Sequence, residues 1–248
     1  MRYKSIHLVS CFPNSGKSSI AIALSQISHR LPFKPISITN DIVTVSNYFV
    51  PWSVCAQLQN TYMYSPLMNP ILLVPISNQN LSDKIQLNRE YSVYLLGKFY
   101  MIMSGEEVLS NFNLFSHIIN DSYRTLSSDS FFIIEGIGSA LENIELFRYA
   151  NSSSFDNNSF RILVYDNSRY FDFENVSFVE YISHYINGVI VTKYMNETDI
   201  EKIIAFFQYQ KIPIIASIPF YSKAVNVSSD FTEWSNFVRE RINTKSIL

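Results

Sequence analysis

The chain has 248 residues, 47% of them hydrophobic, 15% aromatic and 16% charged, with a net charge of −2. That much apolar material is ample for the core of one large α/β domain, and the near-neutral charge leaves no basic footprint for nucleic acid. No apolar run reaches the roughly 18 residues that a membrane-spanning helix needs. In chain order, residues 5–9 read as a first strand and residues 18–29 as a helix. Residues 33–38, flanked by Pro32 and Pro35, read as a second strand. Residues 40–51 are less regular and are expected to cross the rim of the fold. Residues 52–62 have helical spacing, with Val54, Leu58 and Met63 on one side. Residues 71–74 are a short strand between Pro70 and Pro75. Residues 105–126 read as one long amphipathic helix carrying Val108, Leu109, Phe112, Phe115 and Ile119. Residues 131–134, 160–165, 188–192 and 212–218 are buried strands. Residues 151–159 are a polar loop. Residues 197–208 and 231–242 are outer helices.

Short, nearly uninterrupted Ile/Val/Phe strands alternating with helices predict an α/β fold, a mostly parallel sheet with helices on both faces. Ligands of such sheets bind beyond the carboxyl ends of the strands. The polar residues there are Asn14 to Ser18, Glu135 and Gly136, Asp166 to Arg169, and Thr192 and Lys193. They are expected to converge on one rim. The chain shows no repeats and no domain-scale linker, so one domain spanning residues 1–248 is expected.

The first of these segments, Asn14-Ser15-Gly16-Lys17-Ser18-Ser19, follows an apolar strand and opens a helix. A helix start offers unpaired N–H groups and partial positive charge to an anion. Lys17 is placed to reach β/γ-phosphates, and Ser18 to ligate Mg²⁺. The full phosphate-loop signature has a glycine where Cys11 stands. Cys11 reads either as a small buried residue or as a thiol at a positive helix end. Glu135 follows a buried strand. It could hold Mg²⁺ with Ser18 and phosphate oxygens, or cap a helix over residues 140–147. Gly136 and Gly138 are two of only six glycines. They are either turn punctuation or places where backbone N–H groups approach an anionic intermediate. Lys34, held between Phe33 and Pro35, has a fixed direction. It could stabilise a transferring phosphoryl group or be solvated. Asp166, Ser168 and Arg169 could touch metal or substrate, or form a structural ion pair. His117, His184 and the Tyr/Phe stripes read as ordinary. Two cysteines, Cys11 and Cys55, make no disulfide framework, and no signal peptide is visible because Pro13, Asn14 and Lys17 break the first apolar stretch, so a cytoplasmic setting is expected.

Taken together, Asn14 to Ser18, Pro32-Phe33-Lys34-Pro35, Ala56-Gln57, Met68-Asn69-Pro70-Ile71-Leu72-Leu73, Glu135 to Ser139, residues 162–169 and Thr192-Lys193-Tyr194 resemble the ATP-binding domain of cobyric acid synthase. That domain belongs to the P-loop family that includes dethiobiotin synthetase. The segments occur in the family's order and spacing. The resemblance implies an enzyme that uses MgATP to phosphorylate a carboxylate on a corrinoid, which ammonia then converts to an amide. It implies that Asn14 to Ser19 hold the nucleotide, with Lys17 on phosphate and Ser18, Glu135 and Asp41 on Mg²⁺. Lys34 would assist phosphoryl transfer. Asn69, Gly136, Gly138, Ser139 and Glu142 would lie near the substrate, and Thr192 and Lys193 would flank the base. Ser10, Cys11, Val74, Thr192 and Tyr170-Phe171 depart from the family's pattern. No glutaminase domain is expected, so ammonia would be free or come from a separate subunit. A homodimer is an expectation of the same kind. Two other readings stay open: a non-catalytic relative that binds nucleotide or corrinoid, and dethiobiotin synthetase itself.

Overall fold

The computed structural model of the chain describes residues 3–10, 15–58, 63–76, 85–126, 130–136, 159–168, 184–220 and 231–242. In chain order the described strands are β1 (Ser5–Val9), β2 (Leu31–Phe33), β3 (Ile36–Ile38), β4 (Ile42–Val45), β5 (Tyr48–Pro51), β6 (Ile71–Pro75), β7 (Glu90–Leu95), β8 (Lys98–Ser104), β9 (Phe132–Glu135), β10 (Ser159–Asp166), β11 (Gly188–Tyr194) and β12 (Ile214–Pro219). The described helices are α1 (Lys17–Ser28), α2 (Trp52–Leu58), α3 (Gly105–Ser110), α4 (Phe112–Leu126), α5 (Glu197–Tyr209) and α6 (Thr232–Arg239).

Six strands form a central sheet in the order β12-β11-β10-β1-β9-β2, and all its pairings are parallel. Parallel strands carry helices on both faces, and the side chains divide accordingly. Ile6, Leu8, Ile133, Ile162, Val164 and Ile190 pack with α1 and with Trp234 and Val238 of α6. Val9, Leu163, Tyr165, Val189 and Val191 pack with Ile200, Ile203 and Phe207 of α5 on the other face. On that same alternation, Phe132 and Ile134 meet Phe115, Ile119 and Tyr123 of α4. The expected architecture, a mostly parallel sheet with helices on both faces, is therefore present. β1 lies between β9 and β10, so strand order changes direction there. Crevices beyond the carboxyl ends of such a pair are where open α/β sheets bind ligands.

Three expectations change in detail. The strand expected over residues 33–38 is two strands. β2 pairs with β9 in the central sheet, while β3 pairs with β6 in a second sheet of order β3-β6-β7-β8. Lys34 and Pro35 make the crossing, and Pro35 has no N–H to continue a ladder. The helix expected over residues 105–126 breaks at Asn111. Its side-chain amide and its N–H both bond to the Glu107 carbonyl and end α3. α3 itself starts with a capping box between Ser104 and Glu107. The irregular stretch 40–51 contains the β4–β5 hairpin, turned by Ser46 and Asn47 at φ 48° and 69°. Left-handed φ at both turn positions matches the right-handed twist of the flanking strands. The expected loop 151–159 lies outside the described residues except for Ser159, which opens β10. Residues 59–62 of the expected helix 52–62 also lie outside them. Among the described residues no helix is long and apolar enough to cross a membrane.

Candidate functional site

The loop after β1 reaches α1 through Gly16, whose φ of 90° lies in the left-handed region. A side chain would be strained there, although a Cβ would meet nothing within 4 Å. Gly16 caps α1, whose first hydrogen-bonded amide is Ile20 N–H to the Gly16 carbonyl at 3.0 Å. No side chain caps the helix, and its first turn carries no acid. The N–H groups of that turn and the positive end of the helix dipole therefore lie at the rim with no cap from Gly16. Lys17, only 7% exposed, donates to Ser10 Oγ at 2.7 Å. Ser15 Oγ is buried and has no partner among the described residues. An anion at this loop would find a buried ammonium, a hydroxyl and the first amides of a helix in one place.

The second part of the site is Glu135. Register pairing sets it opposite Leu8, at the end of β9 and beside the start of α1. Three donors converge on its buried carboxylate. Ser18 Oγ donates to Oε1 at 2.6 Å, Lys34 Nζ to the same oxygen at 2.8 Å, and Gln57 Nε2 to Oε2 at 3.4 Å. Burial alone would raise its pKa. The Lys34 charge and hydrogen bond, the Ser18 hydroxyl and the field of Lys17 outweigh burial and hold it below the usual carboxylate value. Glu135 is thus an anion at neutral pH.

Lys34 points there because its backbone is clamped. Its N–H donates to the Met68 carbonyl at 2.8 Å, and its own carbonyl accepts from Asn69 Nδ2 at 2.6 Å. Pro35 fixes the next φ. Ser53 Oγ takes a second bond from Lys34 Nζ at 3.3 Å. Fixed direction, the property read from the sequence, is present, and the fixed charge meets Glu135 rather than water.

Farther along the rim, Asp166 at the end of β10 accepts from Lys193 Nζ at 2.9 Å and from the N–H and hydroxyl of Ser168 at 2.9 and 2.6 Å. Asp166 thus forms an ion pair, but with Lys193; Arg169, the partner expected for it, lies outside the described residues. Lys193 sits at φ 58°, at a register shift between β11 and β12. Thr192 Oγ1 donates toward the Ser15 carbonyl at 2.9 Å and the Tyr165 carbonyl at 3.1 Å.

Several expected site residues take other places. The Gly136 N–H is committed to the Leu8 carbonyl at 2.9 Å, so it is not free for an anion. This glycine is required by packing, because a Cβ would lie 2.8 Å from Leu8 O. Asn69 is 1% exposed, and its amide ties Lys34, Ser37 and Ile71 together within the protein. Asp41 is exposed; its carbonyl receives the Trp52 N–H, and its carboxylate makes no hydrogen bond or ion pair with Ser18, Lys34 or Glu135. Asn14, Cys11, Gly138, Ser139, Glu142 and Arg169 lie outside the described residues. Sequence reasoning missed Ser10, Ser53 and Gln57 as members of the site. Ser53 and Gln57 stand four apart in α2, a spacing that puts both on one helix face, and this was the signal for them.

Glu135 and Ser18 are hard oxygen donors that suit Mg²⁺. Among the described residues no group of three His, Cys, Asp or Glu could hold a metal alone. An ion here would complete its shell with water and phosphate oxygens, as Mg²⁺ commonly does. No protein-family model matches the chain, and no curated protein matches it.

Proposed function

We propose that this chain binds a nucleoside triphosphate with Mg²⁺ at the Ser15–Ser18 loop and uses it to phosphorylate a carboxylate for amide formation. The single observation that carries this reading is the joining of the helix-start loop to Glu135. Ser18 Oγ and Lys34 Nζ meet one oxygen of a buried, ionised carboxylate, within the field of Lys17. Ser18 and Glu135 would hold Mg²⁺. The ion would screen charge between phosphate and carboxylate and polarise the phosphoryl group. Lys17 and the α1 amides would bind phosphate oxygens. Lys34 would face the charge that spreads over the transferring group. The ordered resemblance to the ATP-binding domain of cobyric acid synthase supports a corrinoid side-chain carboxylate as the substrate. Ammonia would be supplied free or by a separate glutaminase subunit.

The test is ADP release with MgATP, ammonium and a corrinoid carboxylic acid, followed by detection of the amide. Turnover abolished in Lys17→Ala supports the reading. Unchanged turnover in that variant, or conversion of diaminopelargonate and CO₂ instead, removes it. One observation favours a second reading, a relative that binds without catalysis. Lys17 Nζ is already held by buried Ser10 at 2.7 Å, where the resembled family has glycine. Ligand binding with no ADP formed from any carboxylate would select it.

A further inference from the structure

We propose that Thr192 is a positioning residue that ties the phosphate loop to the end of β11, rather than a group that reads the nucleotide base. The proposal rests on the phosphate-site reading above. The carbonyl and the hydroxyl of Thr192 are both used inside the protein. Its carbonyl accepts the Asn167 N–H at 2.9 Å and so holds the chain leaving β10. Its hydroxyl lies 2.9 Å from the Ser15 carbonyl, across 177 residues of sequence, and holds the loop leaving β1. The residue is 4% exposed, and Ser15 is 1% exposed. β1 and β10 are adjacent and parallel. One residue, through its carbonyl and its hydroxyl, therefore joins the two strand ends that border the crevice where strand order reverses.

A threonine hydroxyl has one proton to donate. Two main-chain carbonyls compete for it here, those of Ser15 and Tyr165 at 3.1 Å, and the Ser15 carbonyl is the nearer. No donor is left for a base, and at 4% exposure the lone pairs of the hydroxyl are shielded from one. The Ser15 carbonyl immediately precedes Gly16, whose left-handed φ turns the chain into α1. Releasing that carbonyl frees the turn that aims the first amides of α1 and the Lys17 ammonium. The bulge that follows, with Lys193 at φ 58° and its side chain on Asp166, gives Thr192 a rigid base to pull against.

The experiment compares wild type, Thr192→Val, Thr192→Ala and Thr192→Ser with two probes, MgATP and inorganic tripolyphosphate, which has no base. Hydrogen exchange at the Ile20 amide, the first bonded amide of α1, is measured on the ligand-free proteins. The expected result is that Thr192→Val weakens both probes by the same factor, about tenfold, equivalent to about 1.4 kcal/mol. Ile20 exchange should rise by a similar factor, and Thr192→Ser should restore all three readouts. A loss confined to MgATP would overturn the proposal in favour of base reading. Unchanged Ile20 exchange in Thr192→Val and Thr192→Ala would overturn the tie whatever the binding shows. A wild type that binds neither probe, with exchange still accelerated in the variants, would retire the phosphate reading and leave Thr192 as a structural tie only. Should Thr192→Val not fold, Thr192→Ala and Thr192→Ser carry the same comparison.

Discussion

Replacing Lys34 by methionine would leave Glu135 buried with its main counter-charge gone. The two groups are 2.8 Å apart, and their side chains are 15% and 3% exposed, so solvent can do little to compensate. Removing one partner of a buried pair costs about 3–5 kcal/mol when the other charge is stranded. Ser18 and Gln57 still donate to the carboxylate, so the expected loss near neutral pH is about 2–4 kcal/mol. The sign of the pH dependence is the sharper test. In the wild type, Lys34 and Ser18 overcome burial and hold the Glu135 pKa below the unfolded value of 4.5. Its contribution to stability is then present above 4.5 and lost as pH falls through the folded value. In Lys34→Met burial is far less opposed, and the folded pKa moves above 4.5. The folded variant then binds more protons than the unfolded chain, and its stability falls as pH rises from 4.5 through the new value. Urea titrations at about pH 5 and about pH 8 read this directly. The deficit of Lys34→Met should already include the lost wild-type contribution at the lower pH, and should grow to its full size at the higher one, where the stranded carboxylate is forced to ionise. Lys34→Met with Glu135→Gln should recover most of it. A deficit that does not change with pH, or one below about 0.5 kcal/mol at the higher pH, would refute the charge-pair argument.

Three further outcomes follow from single positions. His7 is buried in β1 beside Arg161, and burial first and that charge second push its pKa down to about 3. Its neutral form is kept in the fold, so the stability it permits is full above the unfolded value of 6.5 and is lost as pH falls from 6.5 toward 3. His7→Gln should flatten thermal stability across that window. Gly136→Ala places a methyl 2.8 Å from Leu8 O, backbone that cannot step aside. Calorimetric unfolding should show a loss of about 1–3 kcal/mol, with weaker Mg²⁺-nucleotide binding because Glu135 precedes it. Gly16→Ala meets no atom but must hold φ 90°, so it should cost about 1 kcal/mol in stability and weaken phosphate binding more than that.

The sheet was legible because strands buried on both faces are written as uninterrupted Ile, Val, Leu and Phe runs, as in residues 132–134 and 189–191. Once those strands are parallel, their carboxyl ends share an edge, and the meeting of Ser18 with Glu135 and of Lys193 with Asp166 follows. What stayed hidden depended on where the chain turns. Lys34 reaches Glu135 across 101 residues only because β2 ends at Phe33 and the chain leaves for another sheet. A single apolar run across residues 33–38 conceals that break. The β7–β8 hairpin, turned by Leu96 and Gly97 at φ 51° and 74°, was unread. Its second strand is apolar yet exposed at Phe99, Tyr100, Met101 and Ile102, so its pattern reflects no burial. Gly136 reads from sequence as turn punctuation or as a glycine for a ligand, but the need is the Leu8 carbonyl of the adjacent strand. Composition cannot distinguish those two causes of a close approach.

Calorimetric titration of the purified chain with MgATP, beside Lys17→Ala, tests the central claim most directly. Saturable binding is expected in the wild type and its loss in the variant, because Lys17 is the buried ammonium of the loop. Absence of binding in the wild type, or equal binding in both proteins, would contradict it.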